Sequence, residues 1–276
     1  MMTALLLSIL FCLRKNLDFT LLTYRQLLET LKECGYTFIT FKQYCQTPAD
    51  KLPERFIILR HDVDLRAKNS LATAQIEHEF GLQASYYFRV VPESNQPDII
   101  RKIVALGHEV GSHYEDMAIM SGDTEKALAH FQQQLAYFRQ YYPISTICMH
   151  GAPTSQWDGR TLWKHIDYRE FGIIGEPYFD VDFSQVFYLT DTGRRWDGYK
   201  VSVRDKIPQY QDLWTEKGWV YRRSSQIIEA AKKTTLPSRI MITTHPQRWT
   251  NNPLLWIGEM LLQTAKNTIK RMFLVK

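Results

Sequence analysis

The sequence predicts an α/β fold: one domain whose helices alternate with the strands of a parallel sheet, curled into an incomplete or distorted barrel. Three observations carry this reading. Apolar, β-branched runs alternate along the chain with helical patterns of about 10–15 residues, the signature of βαβ units. Six or seven such alternations suit a barrel better than an open sheet. No internal repeat, low-complexity tract or break in composition marks a linker within the 276 residues.

The elements follow in order. From Thr23 the apolar residues Tyr24, Leu27, Leu28, Leu31 and Cys34 recur at helical spacing and stop at Gly35, a typical C-terminal glycine. Tyr36 to Phe41 is β-branched and aromatic and predicts a short strand. Pro48 to Pro53 reads as a loop. Phe56-Ile-Ile-Leu59 is a continuous apolar run, as expected of a strand buried on both faces. Asn69 to Phe80 predicts a helix ending at Gly81, and Ala84 to Val90 a strand. Pro97 to Leu106 predicts a helix ending at Gly107, before a strand over Glu109 to Ser112. Thr124 to Tyr141 is a long helix and Ile144 to Met149 a strand. Further strands are predicted at Ile173 to Gly175, Val186 to Leu189 and Arg239 to Thr244, the last preceded by a helix over Ser224 to Lys233. A closing helix over Leu254 to Phe273 is expected to pack on the barrel, with Lys266, Lys270 and Arg271 complementing its C-terminal end. Its modest basic amphipathicity also admits a membrane-surface role.

Composition bounds the function. With 13 Gly, 11 Pro and 4 Cys, the chain is not collagenous, disordered or a disulfide scaffold. Fifteen Tyr, 14 Phe and 7 Trp must line a core, a cleft or both. The net charge of +5 is spread along the chain, without the basic stripe and stacking aromatics of a nucleic-acid module. Cys12, Cys34, Cys45 and Cys148 show neither C-x-x-C pairs nor zinc-finger spacing, and read as buried thiols of a reducing compartment. Residues 1–16 stand apart from the domain over 17–276. Their apolar run, Ala4 to Leu13, is short of the roughly 20 residues that span a bilayer. Arg14 and Lys15 follow that run instead of preceding it, and no Ala-x-Ala site is evident, unlike a secretory signal. A membrane-peripheral helix and a non-native upstream extension are the two readings. The expected location is cytoplasmic, with a membrane-peripheral alternative; membrane contact is not required, and oligomeric state is left open.

Function is written at the strand ends. Phe56 to Leu59 runs into His61, Asp62 and Asp64; Val110 leads to His113, Glu115 and Asp116. Ile147 to Met149 ends at His150 and Gly151, and Leu189 leads to Asp191, Arg194, Arg195, Trp196 and Asp197. Ile240 to Ile242 ends near His245. In parallel α/β folds the active site gathers at these C-terminal strand ends. His78, His130 and His165 lie in helical stretches and read as surface or satisfied core residues, and His108 as a cap or packing residue. Asp62 and Asp64 have the competing role of capping the next helix. An Asp with imidazoles suits a borderline divalent cation: zinc first, with cobalt, nickel or iron as alternatives. Such a cation acidifies water toward neutrality, a second carboxylate can accept the proton, and a histidine can protonate a leaving amine.

These residues resemble the motifs of the NodB-type polysaccharide deacetylases, carbohydrate esterase family four, over about residues 55 to 250. Leu59-Arg-His-Asp-Val-Asp64 resembles the first motif and Gly107-His-Glu-Val-Gly-Ser-His113 the start of the second. Met149-His-Gly-Ala-Pro153, Asp191-Thr-Gly-Arg-Arg-Trp-Asp197 and Thr243-Thr-His-Pro246 stand where the third, fourth and fifth belong. The resemblance implies a distorted (β/α)7 barrel and an N-acetylated carbohydrate substrate. It makes Asp62 the general base, His245 the general acid, and Asp64 and His113 metal ligands. A backbone N–H near Gly151 would join the metal in stabilising the oxyanion. Trp196 and Trp249 would offer flat faces to a sugar, with His61 beside them at the substrate site. Asp191 or Asp197, with Arg194, would orient the acid and base.

One departure stands out. The family's second histidine falls four residues after His113, where this chain has Met117, a poor ligand for such a cation. His150 is the first candidate to replace it, then Glu115, then Asp116. If none does, the chain is a metal-free glycan-binding relative; a hydrolase of esters or other amides is the remaining alternative. The stretches after His113 and before Gly151 look like those of a divergent branch associated with surface-polysaccharide biosynthesis.

Overall fold

The computed structural model describes residues 17–273; the apolar run before Leu17, and Cys12 with it, lie outside the described residues. Helix α1 (Leu21–Glu33) is capped by Thr20, whose hydroxyl accepts the Thr23 N–H. Strand β1 (Thr37–Ile39) is shorter than the run Tyr36 to Phe41 suggests, because Thr40 and Gln43 form a capping box that starts α2 (Phe41–Gln46). Then come β2 (Phe56–Val63), α3 (Ala67–Glu79), β3 (Ser85–Phe88), α4 (Pro97–Ala105) and β4 (Glu109–Tyr114). They are followed by α5 (Asp116–Ile119), α6 (Thr124–Phe138), β5 (Ile147–Met149), α7 (Pro177–Asp180) and β6 (Phe187–Thr190). Helices α8 (Pro208–Glu216) and α9 (Ser224–Lys232), strand β7 (Arg239–Thr244) and helix α10 (Pro253–Phe273) complete the chain.

Among the described residues all seven strands are parallel, in the order β5-β4-β3-β2-β7-β6, with β1 joined to β2 off this path. The edge of β2 is shared: β1 pairs with Phe56 to Ile58 and β3 with Arg60 to Val63. Every residue of β2 is buried, as its apolar run requires of a central parallel strand. β5 and β6 end the ladder, so the curled sheet is an incompletely closed barrel. One expectation is corrected. Ile173 to Gly175 forms no strand and contributes only a bridge between Thr146 and Gly175. The helix α8 was not anticipated, although Pro208 at its first turn is a recognisable start signal. The thiols also differ from expectation: Cys148 is buried, but Cys34 and Cys45 are partly exposed, and all three are free.

Behind β2, on the face away from the strand-end cleft, a polar network is sealed in the core. Glu77 of α3 is fully buried and accepts hydrogen bonds from the hydroxyls of Tyr24 and Tyr86 (2.8 Å for the latter), with His61 Nε2 at 2.7 Å. Burial opposes the charge of Glu77, yet His61, His108 and the Tyr24 hydroxyl together hold its carboxyl below the ordinary range. Removing one partner of such a network strands the others. Glu77→Ala is therefore expected to destabilise the fold by about 3–5 kcal/mol, read from urea unfolding midpoints. A loss below about 1 kcal/mol would show that the network is dispensable.

Candidate active site

The site begins with the alternation of β2. Residues two apart on a strand share a face, so Arg60 and Asp62 point into the barrel mouth together and His61 points away. Arg60 is completely buried and donates to Asp62 Oδ2 at 2.9 Å, with the Tyr178 and Tyr188 hydroxyls at 3.4 Å. Desolvation works against the guanidinium, but Asp62 and its other neighbours keep it firmly charged. Asp62 is thus a buried carboxylate fixed by one cation.

Asp64 follows the end of β2. Its Oδ2 accepts from Gln247 Nε2 at 3.2 Å, while Oδ1 is buried without a hydrogen-bond partner. Two imidazoles converge on Oδ1. His113, from β4, donates Nδ1–H to the Cys148 carbonyl at 2.9 Å. That bond fixes the tautomer and turns Nε2 toward Asp64 Oδ1 at 3.5 Å. His150, just past β5, places Nδ1 at 3.1 Å from the same oxygen and 3.3 Å from His113 Nε2. Burial raises the Asp64 carboxyl, but His150, His113 and His245 outweigh it and hold it well below its ordinary value. Burial likewise lowers His113, and the Asp62 and Asp64 carboxylates overcome this to raise it.

Across the cleft, His245 follows β7. Its backbone N–H bonds Asp191 Oδ2 at 3.0 Å and its Nδ1 lies 2.6 Å from Oδ1. A carboxylate only accepts, so Nδ1 carries the proton and Nε2 faces the cleft, 3.9 Å from Asp64 Oδ2. Asp191 is fully buried and also accepts from Arg248 and from Trp249 Nε1. Burial raises its carboxyl, but Arg248 and His245 prevail and keep it below the ordinary range.

The resulting cleft is lined by Asp62, Asp64, His113, His150, Gly151 and His245, with Tyr178, Arg204, Asp205 and Lys270 around them. Among the described residues, two groups bring three ligand atoms within 4.8 Å: Asp64, His113 and His150, and Asp62, His113 and Cys148. The first suits a divalent cation better. Its carboxylate oxygen is orphaned, and both nitrogens face it. In the second, burial pushes the Cys148 thiol up, keeping it protonated and a poor ligand, while Arg60 already holds Asp62.

The other candidates for the position vacated at Met117 are occupied. Glu115 is gripped by Arg89 through two hydrogen bonds of 2.8 Å. Asp116 bonds the His130 ring. Met117 itself is buried in the core.

Several expected substrate residues stand elsewhere. Trp249 is 0% exposed and Trp196 3%; their ring N–H groups bond Asp191 and Ser224, and both pack with Phe19, so neither presents a face to a sugar. His61 is sealed in the network behind β2, with Nδ1 on the Thr244 hydroxyl at 2.6 Å. Arg194 lies over the rings of Phe19 and Trp256, where burial lowers it to about 10. Asp197 pairs with Arg195. Of the predicted orienting group, Asp191 alone reaches the acid, and Arg248 stands where Arg194 was expected.

Sequence reasoning missed Arg60, Gln247, Arg248 and Asp205. Arg60 carried a signal, since a cation two residues before Asp62 on one strand shares its face. Asp205 came with none: it lies in a loop and accepts from Tyr178 at 2.9 Å and from Thr190 at 2.7 Å.

Behind the cleft, Glu176 is fully buried and accepts the N–H groups of Met149 (3.0 Å) and Tyr178 (2.6 Å), tying the end of β5 to α7. Burial raises its carboxyl to about 7, against these hydrogen bonds. A carboxyl raised on folding binds more protons folded than unfolded, so stability falls as pH rises from the unfolded value of about 4.3 through 7. The wild-type urea midpoint should therefore drop between pH 5 and 8 more than that of Glu176→Gln. Equal slopes would contradict the raised carboxyl.

No family model and no curated protein matches the chain. Among solved structures, a family 4 carbohydrate esterase from Bacillus anthracis is 11% identical, over 87% of this chain and 84% of that one, with a TM-score of 0.40. A family 4 carbohydrate esterase from Streptomyces lividans in complex with acetate is 16% identical over 76% and 88%, with a TM-score of 0.37. A mutant of peptidoglycan deacetylase PdaC from Bacillus subtilis is 10% identical over 80% and 100%, with a TM-score of 0.36. At identities and scores this low, neither membership of a family nor chemistry follows from the likeness.

Proposed function

We propose that this protein hydrolyses an acetamide on an N-acetylated sugar or glycan intermediate, with a divalent cation, zinc first, held by Asp64, His113 and His150. The observation that carries the reading is the cleft's division of labour. An orphaned carboxylate oxygen with two imidazole nitrogens stands at its centre, a cation-fixed carboxylate on one side and a carboxylate-fixed imidazole on the other.

When bound, the cation supplies electrostatic pull on the amide carbonyl oxygen and acidity to a nearby water. The chain's own residues do the rest. Asp62, locked by Arg60, accepts the proton of the attacking water. The Gly151 N–H is assigned to the developing oxyanion. His245 acts as the acid in its doubly protonated form: Nε2 gives its proton to the departing nitrogen while Nδ1–H stays on Asp191, which with Arg248 keeps the ring aimed. A built-in acid favours an amide over an ester, because an amine leaves only when protonated, whereas an alkoxide needs less help.

Acetamido sugars should be compared with O-acetyl esters of the same sugars, measuring acetate release. Release from the acetamides with a free amine left behind is expected. Cleavage of the esters alone would replace the proposal with an esterase.

A further inference from the structure

Helix α10 is built inside out. Its 21 residues extend roughly 30 Å at 1.5 Å per residue. The side turned to the barrel is polar. Glu259 and Gln263 are buried, Asn267 donates to the Gly193 carbonyl at 2.9 Å, and Lys270 reaches the rim of the cleft. The opposite side is apolar and open. Leu254 is 80% exposed, Leu261 61% and Met272 68%, with Ile257, Leu262 and Ile269 flanking them. With the exposed Ala265 between them, Leu254, Ile257, Leu261, Ile269 and Met272 recur at intervals of three and four, one stripe along the helix. Scattered exposed apolar residues are ordinary, whereas a stripe of this length marks an interaction surface.

Charge identifies what the stripe meets. The helix carries one acidic residue, Glu259, and that side chain is buried on the inner face with Arg66 Nη1 at 3.6 Å. Of its basic residues near the C-terminal end, Lys266 and Arg271 are exposed to either side of the stripe, while Lys270 turns to the cleft. At the other end the ring N–H of Trp256 donates to the Asp18 carbonyl at 2.8 Å, anchoring the helix to the start of the described chain. An apolar stripe flanked by cations lies naturally in a bilayer interface, where the apolar side chains enter the acyl boundary and the cations meet anionic headgroups. No helix among the described residues is long and apolar enough to cross a membrane, which leaves α10 to lie along the surface.

We propose that α10 docks the protein on an anionic lipid surface through Leu254, Leu261, Ile269 and Met272. Because the inner face of the same helix borders the cleft, docking sets the cleft mouth at that surface. The inference is independent of the reaction in the cleft and stands or falls without it.

The test is flotation of the full chain with vesicles of equal parts phosphatidylglycerol and phosphatidylcholine, beside vesicles of phosphatidylcholine alone. Binding to the anionic vesicles, weakened by salt, is expected. The double variant Leu261→Glu/Met272→Glu should lower affinity at least about tenfold, with an unchanged circular dichroism spectrum because both sites are exposed. A second variant, Leu6→Ser/Leu7→Ser, reports on the residues preceding Leu17. Binding lost in that variant but intact in the α10 double variant would overturn the proposal in favour of the leading segment. No binding to either vesicle, or a dimer by ultracentrifugation that Leu261→Glu/Met272→Glu dissociates without any lipid binding, would overturn it too.

Discussion

Asp62→Asn lowers acetate release by about 10²–10⁴-fold, the usual contribution of a positioned general base, and leaves bound zinc at the wild-type level. The substitution keeps the side chain's shape and an oxygen able to accept from Arg60, so the guanidinium, 2.9 Å away and wholly buried, retains a partner. What disappears is the capacity to take a proton from water. Metal content separates this outcome from a collapsed site, since Asp64, His113 and His150 are untouched. A variant that keeps its metal and its full rate would show that Asp62 is not the base.

The second large effect concerns the centre of the cleft. Asp64→Asn, His113→Ala and His150→Ala should each weaken zinc binding by more than the roughly 10–100-fold typical of residues that only support a ligand. Glu115→Gln and Asp116→Asn should leave zinc affinity within that supporting range, because Arg89 and His130 already occupy those carboxylates. The contrast between His150 and Glu115 is the informative one. Their side chains approach within 3.9 Å, yet His150 alone faces the orphaned Asp64 oxygen. Zinc affinity spared in His150→Ala and lost in Glu115→Gln would reverse the assignment. Competition with a chromogenic zinc chelator reads all five variants, with no substrate required.

Much of the site was legible because strand ends are legible. Continuous apolar runs at Phe56 to Leu59, Ile147 to Met149 and Ile240 to Ile242 announce buried parallel strands, and the polar residues just after them have one place to go. Asp62, Asp64, His113, His150 and His245 therefore meet in one cleft without any knowledge of the loops. The aromatics were misread for a physical reason. A tryptophan near a site signals either a platform or packing, and only the tertiary structure shows that Trp196 and Trp249 are buried against Phe19 and each other. Loop residues such as Asp205 carry no periodic signal, and the partner of a buried acid depends on which distant segment arrives beside it. Arg248 reaches Asp191 across 57 positions of sequence, a distance that no local pattern encodes. The closing helix shows the same limit: its span and its modest basic amphipathicity are legible, but which face meets the barrel is decided by Glu259, Gln263 and Asn267.

The central claim is that metal held by Asp64, His113 and His150 serves amide hydrolysis, and one titration tests it. Metal-stripped protein is mixed with increasing zinc, and acetate release from an N-acetylated sugar is followed at each step. The rate is expected to rise with zinc and to saturate at one ion per chain. A rate that is the same without zinc as with it, from protein that hydrolyses the acetamide, would contradict it.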